Sequence, residues 1–175
     1  EPFLNPHMLE ILETVCKFGF KSLVLTNGVN VIKRVSKKLD QLQKNYPDLL
    51  RLRVSLDHYT KEVHEKERGE NSFQKALDSI KWLFENGYEV SIAGRSLTHE
   101  NLDEARVGYQ QLIKDLQIPL ILNSENLVIF PEMATDKDVP EITTECFDIL
   151  DVNPDHQMCA SERMIIKKKG HEKLT

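Results

Sequence analysis

The chain has 175 residues, of which 40% are hydrophobic and 29% charged, so it can fold around a core and is not disordered in composition. Its net charge of −5 argues against a basic nucleic-acid-binding surface, and no apolar run approaches the roughly 20 residues that span a bilayer. Its 3 cysteines are far apart and its first residues form no secretory signal, so we expect a reduced, cytoplasmic protein without nucleic-acid or membrane partners.

Helical and strand-like patterns alternate from Glu1 to about Glu125. Apolar residues spaced three and four apart predict helices at about 5–18, 31–44, 72–86 and 101–116. Short apolar or alternating runs predict strands at about 21–26, 51–57, 88–93 and 119–122. We expect Asn5 and Asn101 to cap the first and last of these helices, and Leu23-Val24-Leu25 to be a buried strand.

Each strand is followed by a helix, and the strands recur every thirty-odd residues. This rhythm indicates an α/β fold with parallel strands joined by right-handed crossovers. It fits both an open doubly wound sheet and part of a barrel. The charged segment 59–71 is predicted to be a loop.

The rhythm stops after Glu125. Leu127–Phe130 could be a further strand, and a short helix is predicted from Thr143 or Thr144 to Leu150. A turn is expected at Asn153–Asp155 and a possible strand at Met164–Ile166. The lysines at 167–169 are expected to be solvated.

Polar residues follow each predicted strand, and in a parallel sheet they converge on one edge. They are Thr26–Gly28, Ser55–His58, Arg95-Ser96 and Asn123–Glu125. Asp57 suits a ribose diol or an ammonium group, and Arg95 suits a carboxylate. Turn-forming residues would also make these positions polar, so both interpretations stay open at this point.

Other titratable residues point less clearly to a site. His58, Glu62 and His64 do not all share one helix face, so we expect a solvated loop here and not a metal site. Cys159 has no close cysteine partner, which favours an inert thiol over an auxiliary cluster, and Cys146 is 13 residues away. Cys16 and Trp82 are expected in the core.

Four segments, in order, resemble those of one enzyme family. Glu1–Pro6 resembles the end of the Gly-Gly-Glu-Pro motif of radical S-adenosylmethionine (radical SAM) enzymes. Leu25–Gly28 and Val54–Asp57 are similar to the ends of that family's third and fourth strands. The segment His64–Phe73 is similar to the one that follows its fourth strand.

The resemblance implies a partial parallel, TIM-barrel-like (β/α) barrel that starts at the end of the second strand. This core would span 1–125, and residues 126–175 would complete the barrel or form a small accessory module. Glu1 would bind the amino group of S-adenosylmethionine (SAM), Asn27 would lie beside the cofactor, and Arg95 would meet its carboxylate. Ser55 and Asp57 would lie near the ribose or the methionine portion. The implied cofactor-binding residues are Glu1, Pro2, Thr26, Asn27, Ser55, Asp57 and Arg95.

The resemblance also implies a chemistry of the Fe–S oxidoreductase type. In the family, a [4Fe-4S] cluster held by C-x-x-x-C-x-x-C cleaves SAM to a 5′-deoxyadenosyl radical that abstracts hydrogen from a substrate. This chain lacks that motif, so the cluster ligands are expected upstream of Glu1, and the fragment alone would be inactive. The substrate and catalytic residues stay unassigned, and flavodoxin or ferredoxin is the expected electron donor.

Two further expectations follow. The strands that the resemblance places upstream of Glu1 are missing from this chain, which would expose a sheet edge through which the fragment could dimerise. The alternative function is a non-catalytic α/β module for ligand binding or interaction, without a cluster. A phosphate-binding barrel is disfavoured, because no helix starts with a Gly-rich loop.

Overall fold

The structure is a computed structural model that describes residues 1–29, 34–97, 99–132, 138, 141–157, 160, 168–170 and 172. The chain divides into two compact units, Glu1–Ala134 and Thr135–Thr175. The first unit extends beyond the predicted core of 1–125, because it includes a further strand of the sheet.

A parallel sheet of 4 strands forms the centre of the first unit, in the order β1-β2-β3-β4. Its strands are β1 (Ser22–Thr26), β2 (Leu50–Ser55), β3 (Glu89–Ser96) and β4 (Leu127–Pro131). The helices of this unit are α1 (Met8–Lys17), α2 (Ser36–Asn45), α3 (Lys61–Arg68), α4 (Ser72–Glu85) and α5 (Leu102–Asp115). The predicted α/β class is therefore confirmed.

The strand order distinguishes the two architectures that the sequence left open. Neighbouring strands are consecutive in the chain, so right-handed crossovers place the connecting helices on one face, as in a barrel. A doubly wound sheet would reverse its order. The sheet is consistent with a partial radical SAM-type barrel.

One face of the sheet is buried against the helices. Leu52, Val54 and Ile92 are at most 1% exposed, and they share a core with Leu39 of α2 and Ile80 of α4. Burial of each such side chain contributes about 1.5–3 kcal/mol. The alternation of β2 puts Arg51, Arg53 and Ser55 on the opposite face, where they are half-buried.

Strand β1 forms as predicted, but its predicted burial is wrong. Val24 is buried, whereas Leu23 and Leu25 are 46% and 54% exposed. β1 is an edge strand that pairs with β2 alone among the described strands. Its second face lies on the side away from the helices, so an apolar run here does not mean burial on both faces.

The prediction of a loop over 59–71 is wrong, because Lys61–Arg68 forms α3. Its single buried residue is His64, so the segment has no apolar stripe to reveal it. Its ends do carry helix signals. Glu62 lies in the first turn, Lys66 and Arg68 lie in the last, and Gly69 follows at φ +88°.

The strand predicted at 119–122 is also wrong. Ile118 is buried and Ile121 is 82% exposed, which imitates strand alternation. However, the Gln110 side chain accepts from the Leu122 N–H at 2.8 Å and donates to the Leu120 carbonyl at 3.0 Å. The hydrogen-bond partner of these two backbone groups is therefore a side chain of α5 and not a neighbouring strand. The sheet continues instead at β4, where a strand was considered possible.

Helix ends agree only in part with the predicted caps. Asn101 caps α5 by accepting from the Asp103 N–H at 2.9 Å, as predicted. The capping prediction for Asn5 is wrong, because α1 begins at Met8 and the Asn5 side chain accepts instead from the N–H of His7. Pro2–Leu4 forms a separate 3-10 turn before it.

The second unit contains α6 (Glu145–Ile149) and a 3-10 turn at Pro154–His156. The short helix and the turn predicted in this region are therefore confirmed. Lys168 and Lys169 are exposed. The predicted helix start at 31–33, Cys159, Lys167 and the possible strand Met164–Ile166 lie outside the described residues. Among the described residues, no helix is long and apolar enough to cross a membrane.

Candidate functional site

The carboxyl end of β1 is tied to the first residue of the chain. The Glu1 carboxylate accepts hydrogen bonds from the Thr26 hydroxyl at 2.9 Å and the Asn27 N–H at 2.7 Å. It also accepts from the Phe3 N–H at 3.3 Å, in the 3-10 turn that contains Pro2. A carboxylate has about four acceptor positions, so these donors fix its orientation and leave room for a further donor. Because the Thr26 side chain is buried, its hydroxyl is held in place and in turn orients the Glu1 carboxylate.

The turn after β1 requires glycine at position 28. Gly28 has φ +79°, and a Cβ there would lie 3.1 Å from the Cβ of Ser79 and 3.2 Å from Cγ1 of Val54. The Ser79 hydroxyl also donates to the Gly28 carbonyl, which anchors the turn to α4. The turn that contains Asn27 is therefore packed closely against β2 and α4 at position 28.

Asp57 follows β2 and is already paired. Its Oδ1 lies 2.8 Å from Nε of Arg68, at the end of α3, and its side chain is 9% exposed. Its backbone N–H donates to Nδ1 of His64 at 3.1 Å. The chain segment after β2 is therefore fixed to α3 at both the backbone and the side chain of one residue.

Arg95, near the end of β3, faces the same place. Its Nη1 donates to Oε2 of Glu67 at 3.1 Å, and its Nη2 lies 3.7 Å from Oδ2 of Asp57. Its backbone N–H donates to the Asp57 carbonyl at 2.9 Å. Arg95 remains 42% exposed, so its guanidinium is held in position but is still accessible.

These strand ends line a cleft of about 360 Å³. Asn27, Asp57 and Arg95 were predicted to converge here, and the structure brings them together. Ser55, the last residue of β2, does not line the cleft. The full lining is Asn27, Val29, Asp57, His64, Glu67, Arg68, Ser72 and Arg95.

Sequence reasoning missed the residues that α3 contributes to the cleft. Glu67 and Arg68 were assigned to a loop, and His64 was weighed as a metal ligand and as part of the segment that resembles the family, but not as a residue of the cleft. The charge pattern at the two ends of α3 was the signal that could have revealed the helix. Sequence spacing alone could not show that Arg68 reaches back to Asp57.

His64 is 1% exposed, and burial lowers its pKa, although the nearby Asp57 carboxylate offsets part of this effect. The imidazole is therefore neutral near pH 7, and because Nδ1 accepts from Asp57, its proton lies on Nε2. Nε2 is buried and has no hydrogen-bond partner among the described residues. His64 thus acts as a hydrogen-bond acceptor that holds the backbone N–H of Asp57 in place.

A second polar group lies at the same edge of the sheet. The Tyr59 hydroxyl donates to Oε1 of Glu100 at 2.7 Å, and this hydrogen bond raises the pKa of Tyr59 to about 12. His58 Nε2 lies 3.4 Å from the same oxygen, without the alignment of a hydrogen bond. Nδ1 of His58 accepts from the Thr60 N–H at 3.0 Å. These contacts join the segment after β2 to the segment before α5.

The predicted convergence of Asn123–Glu125 is wrong. These residues precede β4, so they lie at the amino edge of the sheet, where Asn123 and Glu125 share a pocket of about 160 Å³ with Arg51 and Glu89. The prediction failed because it rested on the strand that does not form at 119–122. Within the described ranges, no group of three His, Cys, Asp or Glu side chains could hold a metal ion.

Cys16 is 2% exposed and belongs to the core, as predicted. Trp82 packs against the core, with its ring centroid 5.8 Å from that of Tyr88. Cys146 lies half-buried in the second unit.

The sequence profile of the Radical SAM superfamily matches residues 1–107. This match covers more than half of the chain, and it includes every residue that lines the cleft. The chain belongs to the radical SAM superfamily. The resemblance found in the sequence motifs is therefore confirmed.

The chain is also similar to a bacterial biosynthesis protein. Over 117 residues, the chain is 35% identical to the antilisterial bacteriocin subtilosin biosynthesis protein AlbA of Bacillus subtilis (strain 168). The alignment covers 66% of this chain and 25% of the relative. The chain therefore spans about a quarter of the length of the protein it matches.

Radical SAM proteins generally use SAM and a [4Fe-4S] cluster, and the cleft fits the first of these. Its volume of about 360 Å³ lies within the usual range of small-molecule sites. Glu1 offers a fixed carboxylate for an ammonium, and Arg95 offers an accessible guanidinium for a carboxylate. The described residues do not fit the cluster, since they include no group of metal ligands.

Proposed function

We propose that this chain provides the SAM-binding cleft of a radical SAM enzyme that generates a 5′-deoxyadenosyl radical and abstracts hydrogen from a peptide. The observation that carries the proposal is the convergence of Asn27, Asp57 and Arg95, from three successive strands, on one cleft beside the fixed carboxylate of Glu1. The peptide substrate is supported by the similarity to a bacteriocin biosynthesis protein. The full-length protein would receive its electron from flavodoxin or ferredoxin.

Glu1, beside the cleft, and Arg95, in its wall, would together recognise the methionine portion. Glu1 would accept from its ammonium group, and Arg95 would donate to its carboxylate. Asn27 follows β1 in the cleft wall and would sit beside the cofactor. Ser55 is half-buried at the end of β2, and with Asp57 it would lie near the ribose.

The test is anaerobic calorimetry of SAM binding to the full-length protein. Arg95→Met should weaken binding about 10- to 100-fold, because charge-assisted hydrogen bonds contribute about 1.5–3 kcal/mol. Arg106→Met is the matched control, since Arg106 lies on α5 away from the cleft lining. Equal affinities of the wild type and Arg95→Met would contradict the assignment.

Iron and sulfide content of the same anaerobic preparation tests the enzymatic part of the proposal. The proposed enzyme should contain about four irons and four sulfides per chain once reconstituted. A full-length protein that binds SAM but cannot be loaded with iron would favour the non-catalytic ligand-binding module instead.

A further inference from the structure

The charged groups of the cleft form a balanced set. Asp57 and Glu67 supply two carboxylates, and Arg68 and Arg95 supply two guanidinium groups. The Asp57 carboxylate lies closer to the guanidinium of Arg68, at 2.8 Å, than to that of Arg95, at 3.7 Å. The direct partner of Arg95 is therefore Glu67, at 3.1 Å.

The contact between Glu67 and Arg95 has the features of an exchangeable pair. The two side chains are 41% and 42% exposed, and ion pairs that are this accessible to solvent contribute little to stability. The Asp57 side chain, by contrast, is 9% exposed. Solvent therefore competes for Glu67 far more than for Asp57.

Glu67 also lies where its helix disfavours a negative charge. It is in the last turn of α3, next to the residue that ends the helix, where the unpaired carbonyls carry partial negative charge. Lys66 and Arg68, on either side of it, have the charge that this end of a helix prefers. The interaction that favours Glu67 is therefore its contact with Arg95.

We propose that Glu67 competes with the ligand for Arg95: it occupies the guanidinium in the unliganded protein and is displaced by the carboxylate of the ligand. The inference rests on the proposed function, which assigns Arg95 to the methionine carboxylate of SAM. If Glu67 stayed in contact, its carboxylate and that of the ligand would lie close together at one guanidinium, and like charges at such a distance repel. Glu67 thereby sets the affinity of the cleft for ligands that carry a carboxylate.

The test is Glu67→Gln in the full-length protein, with SAM affinity measured by anaerobic calorimetry. Removal of the competing charge should tighten binding about two- to fivefold, which corresponds to the free energy of an exposed ion pair. Glutamine keeps the length of the side chain and suits the end of α3, so the variant should fold. Glu70→Gln is the matched control: it removes the same charge from an exposed position just after α3 that does not line the cleft.

Decarboxylated SAM provides the second arm of the test. It lacks the group that would displace Glu67, so its affinity should change by less than about 1.5-fold on Glu67→Gln. Tighter binding of both ligands would overturn the exchange and indicate a general charge effect. Weaker SAM binding would also overturn it, because Glu67 would then be positioning Arg95.

The two proposals fail in different ways. If the wild type binds no SAM, the proposed function fails and the exchange fails with it. If the wild type binds SAM and Arg95→Met weakens binding, but Glu67→Gln leaves it unchanged, only the exchange is overturned.

Discussion

Individual residues of the cleft are held by one another before any ligand binds. Glu1 is oriented by Thr26 and Asn27, and Asp57 is held by Arg68 and His64. Fixed donors and acceptors need little rearrangement when a ligand arrives, which lowers the cost of binding. The exception is the exposed pair of Glu67 and Arg95, where we expect the exchange.

His64 makes the stability of this arrangement depend on pH. Because its pKa is lowered in the folded protein, the unfolded chain takes up a proton first as the pH falls below about 6.5. Stability that His64 contributes is therefore complete above this pH and is lost as the pH falls through the folded-state pKa, by at most about 1.4 kcal/mol per pH unit.

Replacement by glutamine should remove this dependence. At pH 7.5, we expect His64→Gln to cost about 1–3 kcal/mol, because the buried acceptor for the Asp57 N–H is disturbed. The difference from the wild type should narrow at pH 5.5, where the wild type has lost part of its own stability. Urea denaturation at both pH values measures this, and a constant difference would contradict the role of His64.

At the scale of elements, the contact between β3 and α5 depends on the absence of a side chain at position 94. A Cβ on Gly94 would lie 2.3 Å from the hydroxyl of Tyr109, which itself donates to the Leu56 carbonyl at 2.9 Å. Tyr109 is fully buried, and burial raises its pKa far above its usual value. One tyrosine thus joins α5 to the segment just before Asp57.

Gly94→Ala should destabilise the protein by about 1–3 kcal/mol through overpacking against Tyr109. In the Tyr109→Phe background the same change should cost less, because the closest atom is gone. Thermal unfolding of the two single variants and the double variant gives this coupling. Strictly additive effects would show that the two residues do not interact.

The elements also show what the sequence could and could not predict. Strands and helices with a regular apolar pattern, such as β2 and α4, were found close to their actual bounds. Helix α3 was missed because its buried side is a single histidine paired to a backbone N–H. The strand predicted at 119–122 does not form, because the Gln110 side chain satisfies the backbone groups of this segment. That contact is a tertiary one, which no local sequence pattern reveals.

At the scale of the whole molecule, β1 is an edge strand of the sheet that the described residues form, and it exposes apolar side chains. Leu25 on this strand is 54% exposed. We predict that this chain associates in solution through β1, since unpaired strands and exposed leucines favour contact with a second copy. Leu25→Lys should weaken this association about tenfold, the equivalent of about 1.4 kcal/mol of lost burial.

Sedimentation equilibrium over a range of concentrations measures the association. Ile121→Lys is the control, because Ile121 is 82% exposed and lies outside the sheet. A monomer at every concentration, or equal weakening by both variants, would contradict association through β1.

The residues that line the cleft are spread along the chain from Asn27 to Arg95, which has a consequence during protein synthesis. Its walls come from the ends of β1, β2 and β3, together with α3 and the first residue of α4, which lie between the last two strands in the chain. A nascent chain therefore cannot form this cleft until it has emerged from the ribosome at least as far as Arg95. Ligand binding would then favour chains that have completed this part of the sheet over those that are still emerging.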